Sequence, residues 1–236
     1  MKRLLIGFGA LLAVTTVSAN AADLGRRMPV KAAPMVEPVF NWTGFYLGVN
    51  GGYGWAKSTH TDVAGLTTGS FNQRGGLIGG TLGYNWQLGG AVLGLEGDID
   101  WARINGSVAG CAFGSCFTNI RGLDTVRGRL GYAAGSWMPY ITGGLAVANI
   151  RAGQDGVASN DAWRAGWTIG GGLEWMFAPR WSAKAEYLYA DFGTGAAVSY
   201  TTPAAALVNA TERNVNIVRG GINYHFDWGG PVVARY

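Results

Sequence analysis

Charge is scarce in this chain: Asp, Glu, Lys and Arg make up 14% of its 236 residues, against roughly a quarter in soluble domains. A solvated globular surface is hard to build from so few charges. Histidine is scarcer still, with only His60 and His225, far apart in sequence. Cysteine is limited to Cys111 and Cys116, and no histidine lies near them, so the four-ligand set of a structural zinc site cannot be assembled and no metal or other cofactor is expected. Beyond the first 17 residues no apolar run reaches 18 positions before Gly, Asn, Asp, Glu or Arg interrupts it, which excludes a helical membrane span. The formal net charge is +4, from 18 basic and 14 acidic residues, and removing Lys2 and Arg3 leaves 16 minus 14, or +2. That balance gives no support to a nucleic-acid partner.

Lys2 and Arg3 precede an apolar run over 4–17, followed by Ser18-Ala19-Asn20-Ala21-Ala22. A basic start, a short apolar stretch and small residues at A-x-A spacing form a secretory signal peptide, assigned to 1–21 with cleavage at Ala21 or Ala22. The run holds 14 residues, short of the roughly 20 that a spanning helix needs. Residues 22–40 contain three of the seven prolines and show no periodicity, so they read as a periplasmic linker. Export to an oxidising compartment makes a local disulfide within Cys111-Ala-Phe-Gly-Ser-Cys116 the natural reading of the two cysteines.

What the chain has in quantity is glycine (40) and aromatic residues (ten Trp, ten Tyr, nine Phe). From residue 42 onward, segments with period-two alternation recur, the signal of strands with two chemically different faces. In 42–55, Phe45, Leu47, Val49, Tyr53 and Trp55 share one parity, and the other is small or polar. In 76–88, Leu82, Tyr84, Trp86 and Leu88 oppose Thr81, Gly83, Asn85 and Gln87. In 91–101, Leu93, Leu95, Ile99 and Trp101 oppose Glu96, Asp98 and Asp100, and in 123–133, Val126, Leu130 and Tyr132 oppose Thr125, Arg127 and Arg129. A fifth strand at 139–149 aligns Ile141, Leu145 and Val147, and a sixth sets Trp167, Ile169, Leu173 and Trp175 against Arg164, Thr168 and Glu174. The seventh, 181–192, divides Trp181, Tyr187 and Tyr189 from Lys184 and Glu186; the eighth, 214–226, divides Val218, Ile222, Tyr224 and Phe226 from Arg219 and Asn223.

Period alone does not say which face is buried, and three further features point to a membrane. Strands of about 11 to 13 residues, tilted by ~40°, reach ~30 Å, enough to cross an apolar band. Trp42, Trp55, Trp86, Trp101, Tyr132, Trp175 and Trp181 lie near strand ends, as interfacial girdles require. Connections alternate in length: long at 56–74, 102–121, 150–163 and 193–213, short at 89–90, 134–137 and 178–180. Long loops belong outside the cell and short turns in the periplasm. Lipid offers no hydrogen bonds to open strand edges, so the sheet must close. The expected fold is an all-β, eight-stranded antiparallel transmembrane barrel over 41–226 with a tail at 227–236, in the outer membrane of a Gram-negative cell.

An eight-stranded barrel has room inside only for side chains. The charges on the inward parity, Glu96, Asp98, Arg127, Arg129, Glu174, Lys184, Glu186 and Arg219, alternate in sign between neighbouring strands. Pairing of strand three with four, six with seven and seven with eight would neutralise them into a polar plug.

Four segments, Trp42-Thr-Gly-Phe-Tyr-Leu-Gly48, Thr125-Val-Arg-Gly-Arg-Leu-Gly-Tyr132, Gly171-Gly-Leu-Glu-Trp175 and Glu186-Tyr-Leu-Tyr-Ala-Asp-Phe-Gly193, fall on strands one, four, six and seven. In them the chain resembles the outer-membrane immunogenic proteins, OmpA-like barrels often grouped as a porin family. The resemblance implies membrane residence and surface exposure, and some relatives are credited with haemin binding or host interaction. It implies no reaction. Such barrels end on an aromatic residue read by the assembly machinery; Phe226 fits, although ten residues follow and Tyr236 is the alternative signal.

The function expected is a structural or surface-interaction barrel. A narrow channel for small solutes is the alternative, and haemin or other ligand capture by the loops, through His60 as a solvated loop histidine, comes third. No nucleophile and base assemble at one rim, so no enzyme is expected. The expected partners are outer-membrane lipid and lipopolysaccharide, the barrel assembly machinery, and host or envelope proteins reached through the loops.

Overall fold

The computed structural model describes residues 40–62, 65–111, 114–193, 198–202 and 207–226. The expected signal peptide, nearly all of the linker, and the tail with Tyr236 lie outside them. The described chain is nine antiparallel strands: β1 Gly44–Asp62, β2 Thr67–Leu88, β3 Ala91–Cys111, β4 Gly114–Tyr132, β5 Trp137–Gln154, β6 Ala158–Ala178, β7 Trp181–Asp191, β8 Val198–Thr201 and β9 Leu207–His225. Each of β1 to β6 pairs with the next, β7 pairs with β9, and β9 pairs with β1. The ring therefore closes with eight members. β8 adds no ninth stave. β9 gives one edge to β1 and its other edge first to β8 (Val198↔Ala210) and then to β7 (Asp191↔Asn214), so β8 resumes the seventh track after an interruption.

Glycine explains how so small a ring holds bulky groups. A Cβ on inward Gly94 would stand 2.7 Å from Arg129 Cγ, and one on Gly172 would stand 2.7 Å from the Tyr140 hydroxyl. Large inward side chains thus lie flat over neighbouring glycines. At the periplasmic turns, Gly89 and Gly135 both take φ of 63°, a left-handed conformation that suits glycine.

Outward residues form an apolar band. Phe45, Leu47, Val49, Tyr53 and Trp55 on β1, and Leu93, Leu95, Ile99 and Trp101 on β3, are all exposed on the outer wall. Of the residues expected in the girdles, Trp55, Trp86, Trp101, Tyr132, Trp175 and Trp181 face outward at its margins. Trp42 does not. It is wholly buried, packs with Val92, Met138 and Met176 inside the periplasmic mouth, and donates its indole N–H to the Gly135 carbonyl. Its even position shares the inward parity of Tyr46 and Asn50, so the alternation of β1, carried back two residues, turns it into the lumen although an aromatic near a strand end otherwise suits the girdle.

The strands run well past the membrane. The long connections expected at 56–74, 102–121 and 150–163 are excursions on the outer side, but most of their length is paired strand. The reason is an inversion of the pattern. Within the band the outward parity is apolar; beyond Trp55 it becomes Lys57 and Thr59, beyond Trp101 Arg103 and Asn105, and beyond Val147 Asn149 and Arg151. The inward parity changes in the opposite sense, with Ala102, Ile104, Ile120 and Ile150 forming an apolar core above the membrane. Above the lipid the barrel is patterned like a soluble one, so a search for one continuous greasy face stops at the boundary.

Candidate functional site

The lumen is stratified. Next to the periplasm lies the apolar cap of Trp42, Val92, Met138 and Met176, with the Trp42 ring set edge-on against His225 at 5.8 Å. Above it come the charged residues, then the apolar layer around Ile104, Ile120, Leu123, Ile150, Leu188 and Ile217, and finally a polar chamber holding His60, Thr118 and Tyr200.

All eight residues expected in the charge network are buried, and each takes part in at least one ion pair. Arg127 binds Glu96 through a very short contact, Asp98 at 2.8 Å and Glu186 at 2.8 Å. Arg219 reaches Asp98, Asp100 and Glu186, each at 2.9 Å. Arg129 donates to Glu174 at 2.5 Å and to the Tyr46 hydroxyl at 3.0 Å, and its guanidinium lies 4.1 Å from the centre of the Tyr140 ring. Lys184 meets Glu96 at 2.9 Å.

The partners depart from the neighbouring-strand scheme at several places: Arg127 on β4 also reaches Glu186 on β7, and Arg219 on β9 reaches Asp98 and Asp100 on β3. Lys184 and Glu174 are register partners on β7 and β6, yet Lys184 crosses the lumen to Glu96 on β3 and Glu174 takes Arg129 on β4. Facing walls of a narrow barrel lie within reach of a long side chain, so a cross-lumen partner competes with the adjacent one. Asp100, on the charged parity of the third strand but left out of the expected set, belongs to the network through Arg219. Tyr46 and Tyr140 also join it, donating to Glu96 and Glu186; as aromatic residues on a polar parity they could have been flagged. Ser182, Asn223 and His225 surround Glu174, with Ser182 donating at 2.5 Å and Asn223 at 2.7 Å. Five carboxylates thus face four cations, with His225 Nε2 3.5 Å from Glu174.

His60 is neither exposed nor in a loop. It points into the upper chamber with 1% of its surface accessible, Nδ1 3.1 Å from the Tyr200 hydroxyl and Nε2 2.8 Å from Thr118 Oγ1. It stands five residues beyond Trp55, outside the apolar band, and burial pushes its pKa down from the usual value to about 4. The disulfide Cys111–Cys116 bridges β3 and β4 near their tip, with Cα atoms 5.9 Å apart. Cys116 is turned inward, its Sγ 3.4 Å from the Tyr200 hydroxyl. A separate hollow of about 620 Å³, lined by Leu93, Leu95, Gly128, Leu130, Ile141 and Gly143 among others, lies on the lipid-facing wall and not in the lumen.

Residues 9–228 match the family described as outer membrane protein beta-barrel domain. The chain belongs to that family. The barrel is 36% identical over 239 residues to the 31 kDa outer-membrane immunogenic protein of Brucella melitensis biotype 1, covering 92% of this chain and 97% of that protein. It is 30% identical over 226 residues to the 25 kDa outer-membrane immunogenic protein of Brucella abortus biovar 1, covering 96% and 99%. Among solved structures it resembles the outer membrane protease OmpT of Escherichia coli with a TM-score of 0.50, at 9% identity and covering 79% and 98%, a likeness of fold alone. The barrel resides in the outer membrane, and its family role is that of a structural, surface-displayed protein.

Proposed function

We propose that this barrel works as a sealed scaffold that displays its outer rim at the cell surface, and neither conducts solutes nor catalyses a reaction. The observation that carries the reading is the closure of the lumen at successive levels, by the Trp42 cap, the ion-pair network and the isoleucine-rich layer. Each level alone would obstruct a hydrated ion. In planar bilayers at high protein load we expect silence or rare, small events. Reproducible open steps of constant size would overturn the reading in favour of a narrow channel.

One arrangement resembles hydrolytic machinery: Ser182 Oγ lies 2.8 Å from His225 Nε2 and 2.5 Å from Glu174. A nucleophile must meet a substrate, and Ser182 is wholly buried and Glu174 sits at 0% exposure. The hydroxyl serves the network by donating to the carboxylate. Haemin capture by His60 is disfavoured because both ring nitrogens already have partners. A haemin titration should give no Soret shift that His60→Ala abolishes. Phe226, outward at the end of the last strand with its amide bonded to the Phe45 carbonyl, is the residue we assign as the assembly machinery's signal.

A further inference from the structure

Above the apolar band the outer wall carries an ordered set of cations. Lys57 on β1, Arg74 on β2, Arg103 on β3, Arg121 on β4 and Arg151 on β5 all occupy the outward parity or a bulge, one on each of five consecutive strands. Lys57 and Arg103 come two residues beyond the outward Trp55 and Trp101. Register links them sideways. Trp55 is opposite Arg74 and Lys57 opposite Asn72; Arg74 is opposite Asn105, two residues from Arg103. Arg121 is the extra residue where the β4–β5 pairing steps from Ile120↔Ile150 to Gly122↔Asn149, and such a bulge re-aims a side chain. With strands ~4.8 Å apart the arc extends over roughly 20 Å of the barrel's girth.

The placement is selective. Among the described side chains, every Lys or Arg outside the lumen network lies in this arc, except Arg164 on the inward parity of β6 and Arg180 at a periplasmic turn. Nearby acids do not neutralise it. Asp161 is 3.7 Å from Arg121 and 3.9 Å from Arg151, but these pairs are half exposed and hold little energy. Counting Asp124 as well, among the described side chains five cations face two carboxylates, a surplus of three. At the β1 end of the arc, Lys57 borders an open hollow of about 490 Å³ lined by Thr59, Thr61, Ser70, Thr211 and Asn214, a wall of hydroxyls and amide suited to sugar hydroxyls.

We propose that this arc is a binding site for the anionic headgroup of outer-leaflet lipopolysaccharide, with Arg103, Arg121 and Arg151 holding its phosphates and the hollow beside Lys57 receiving its sugars. The site rests on the outer-membrane residence of the barrel. Its height favours a lipid over a soluble polyanion: the cations project sideways just past the aromatic belt, in the headgroup plane, whereas the described tip residues Leu66, Thr67, Ser115, Asp155 and Val157 include no cation. Arginine suits the task because its planar fork matches phosphate oxygens and it is only weakly hydrated.

The test is binding of fluorescent deep-rough lipopolysaccharide to the folded full chain in zwitterionic micelles. The combined variant Arg103→Glu, Arg121→Glu, Arg151→Glu should weaken binding on the order of tenfold or more, the scale set by losing even one charge-assisted contact. Arg180→Glu should leave it unchanged, lipopolysaccharide stripped of phosphate should bind as weakly as the variant meets the intact lipid, and millimolar inorganic phosphate should not displace it. Equal affinity of parent and triple variant overturns the site. So does displacement by inorganic phosphate, or a heparin fragment that binds as tightly as the lipid. Heat-modifiable gel mobility reports folding, and if the triple variant does not fold, the matched Arg→Gln and Arg→Lys triples replace it, with only the Gln set losing affinity. A chain that fails to enter membranes at all would count against the barrel itself, whereas one that inserts without preferring lipopolysaccharide counts only against the arc.

Discussion

Arg127 joins three carboxylates from two walls of the barrel, Glu96 and Asp98 on β3 and Glu186 on β7, and it is 1% exposed. Removing one member of a buried ion pair strands its partners without solvent, which costs about 3–5 kcal/mol. Arg127→Met should therefore lower the stability of the detergent-folded barrel by about that much in urea unfolding. Arg127→Glu should lower it further, and a second reversal, Glu96→Arg or Asp98→Arg, should restore part of the loss. An unchanged midpoint in the single reversal would show that the network bears no load. His60 makes a prediction of the same sense as a paired carboxylate, stability lost as pH falls, but in a higher pH window. Its folded pKa, about 4, lies below the ordinary histidine value because burial disfavours the imidazolium. The stabilisation tied to the neutral ring is fully present above the unfolded pKa of roughly 6.5 and is lost as pH falls from there toward the folded value. Amides near Tyr200 and Thr118, which contact the ring, should be less protected from exchange at pH 5 than at pH 7 once the intrinsic pH dependence of amide exchange is divided out, and His60→Phe should flatten that dependence.

At the scale of single elements, the hairpin of β3 and β4 joins a lipid-spanning half to a water-exposed half within one pair of strands. The disulfide ties the water-exposed end, and by the chain-entropy account so short a loop contributes ~2 kcal/mol. Cys111→Ser should leave heat-modifiable barrel assembly intact while speeding exchange in 104–120; failure to assemble would mean that the bridge supports the wall. The membrane halves of all eight tracks were legible in the sequence because one parity there stays apolar, as in Leu93, Leu95, Ile99 and Trp101, against Glu96 and Asp98 on the other. The same parity placed the eight lumen charges. The upper halves were not legible, because Ile104, Ile120 and Ile150 sit on the parity that carries charge lower down, and Arg103 and Arg151 on the parity that was greasy. Nor could strand order reveal that Lys184 prefers Glu96 across the lumen to its neighbour Glu174, a choice made by barrel diameter and side-chain length.

Over the whole molecule the closures act in series, so opening one should not open the barrel. Closure does not depend on Trp42 alone, since the ion pairs and the isoleucine-rich layer lie above the periplasmic cap. Trp42→Ala should therefore stay silent in planar bilayers, and steady conductance in this variant would mean that the upper layers leak. Rigidity also reaches the outer end. β1 continues from Trp55 to Asp62 as paired strand, which at ~3.3 Å per residue and a tilt of ~40° raises a wall roughly 18 Å above the aromatic belt.

That wall decides what an antibody can see. On it, residues close in space come from different strands: Asn119 lies beside Arg151, which lies beside Asp161, and Thr59 lies between Ser70 and Thr211. An epitope on this surface is assembled from chain segments tens of residues apart. A synthetic peptide copied from any one hairpin carries only one side of it, and serum raised against the native cell surface should recognise the folded barrel far better than the same protein boiled in detergent.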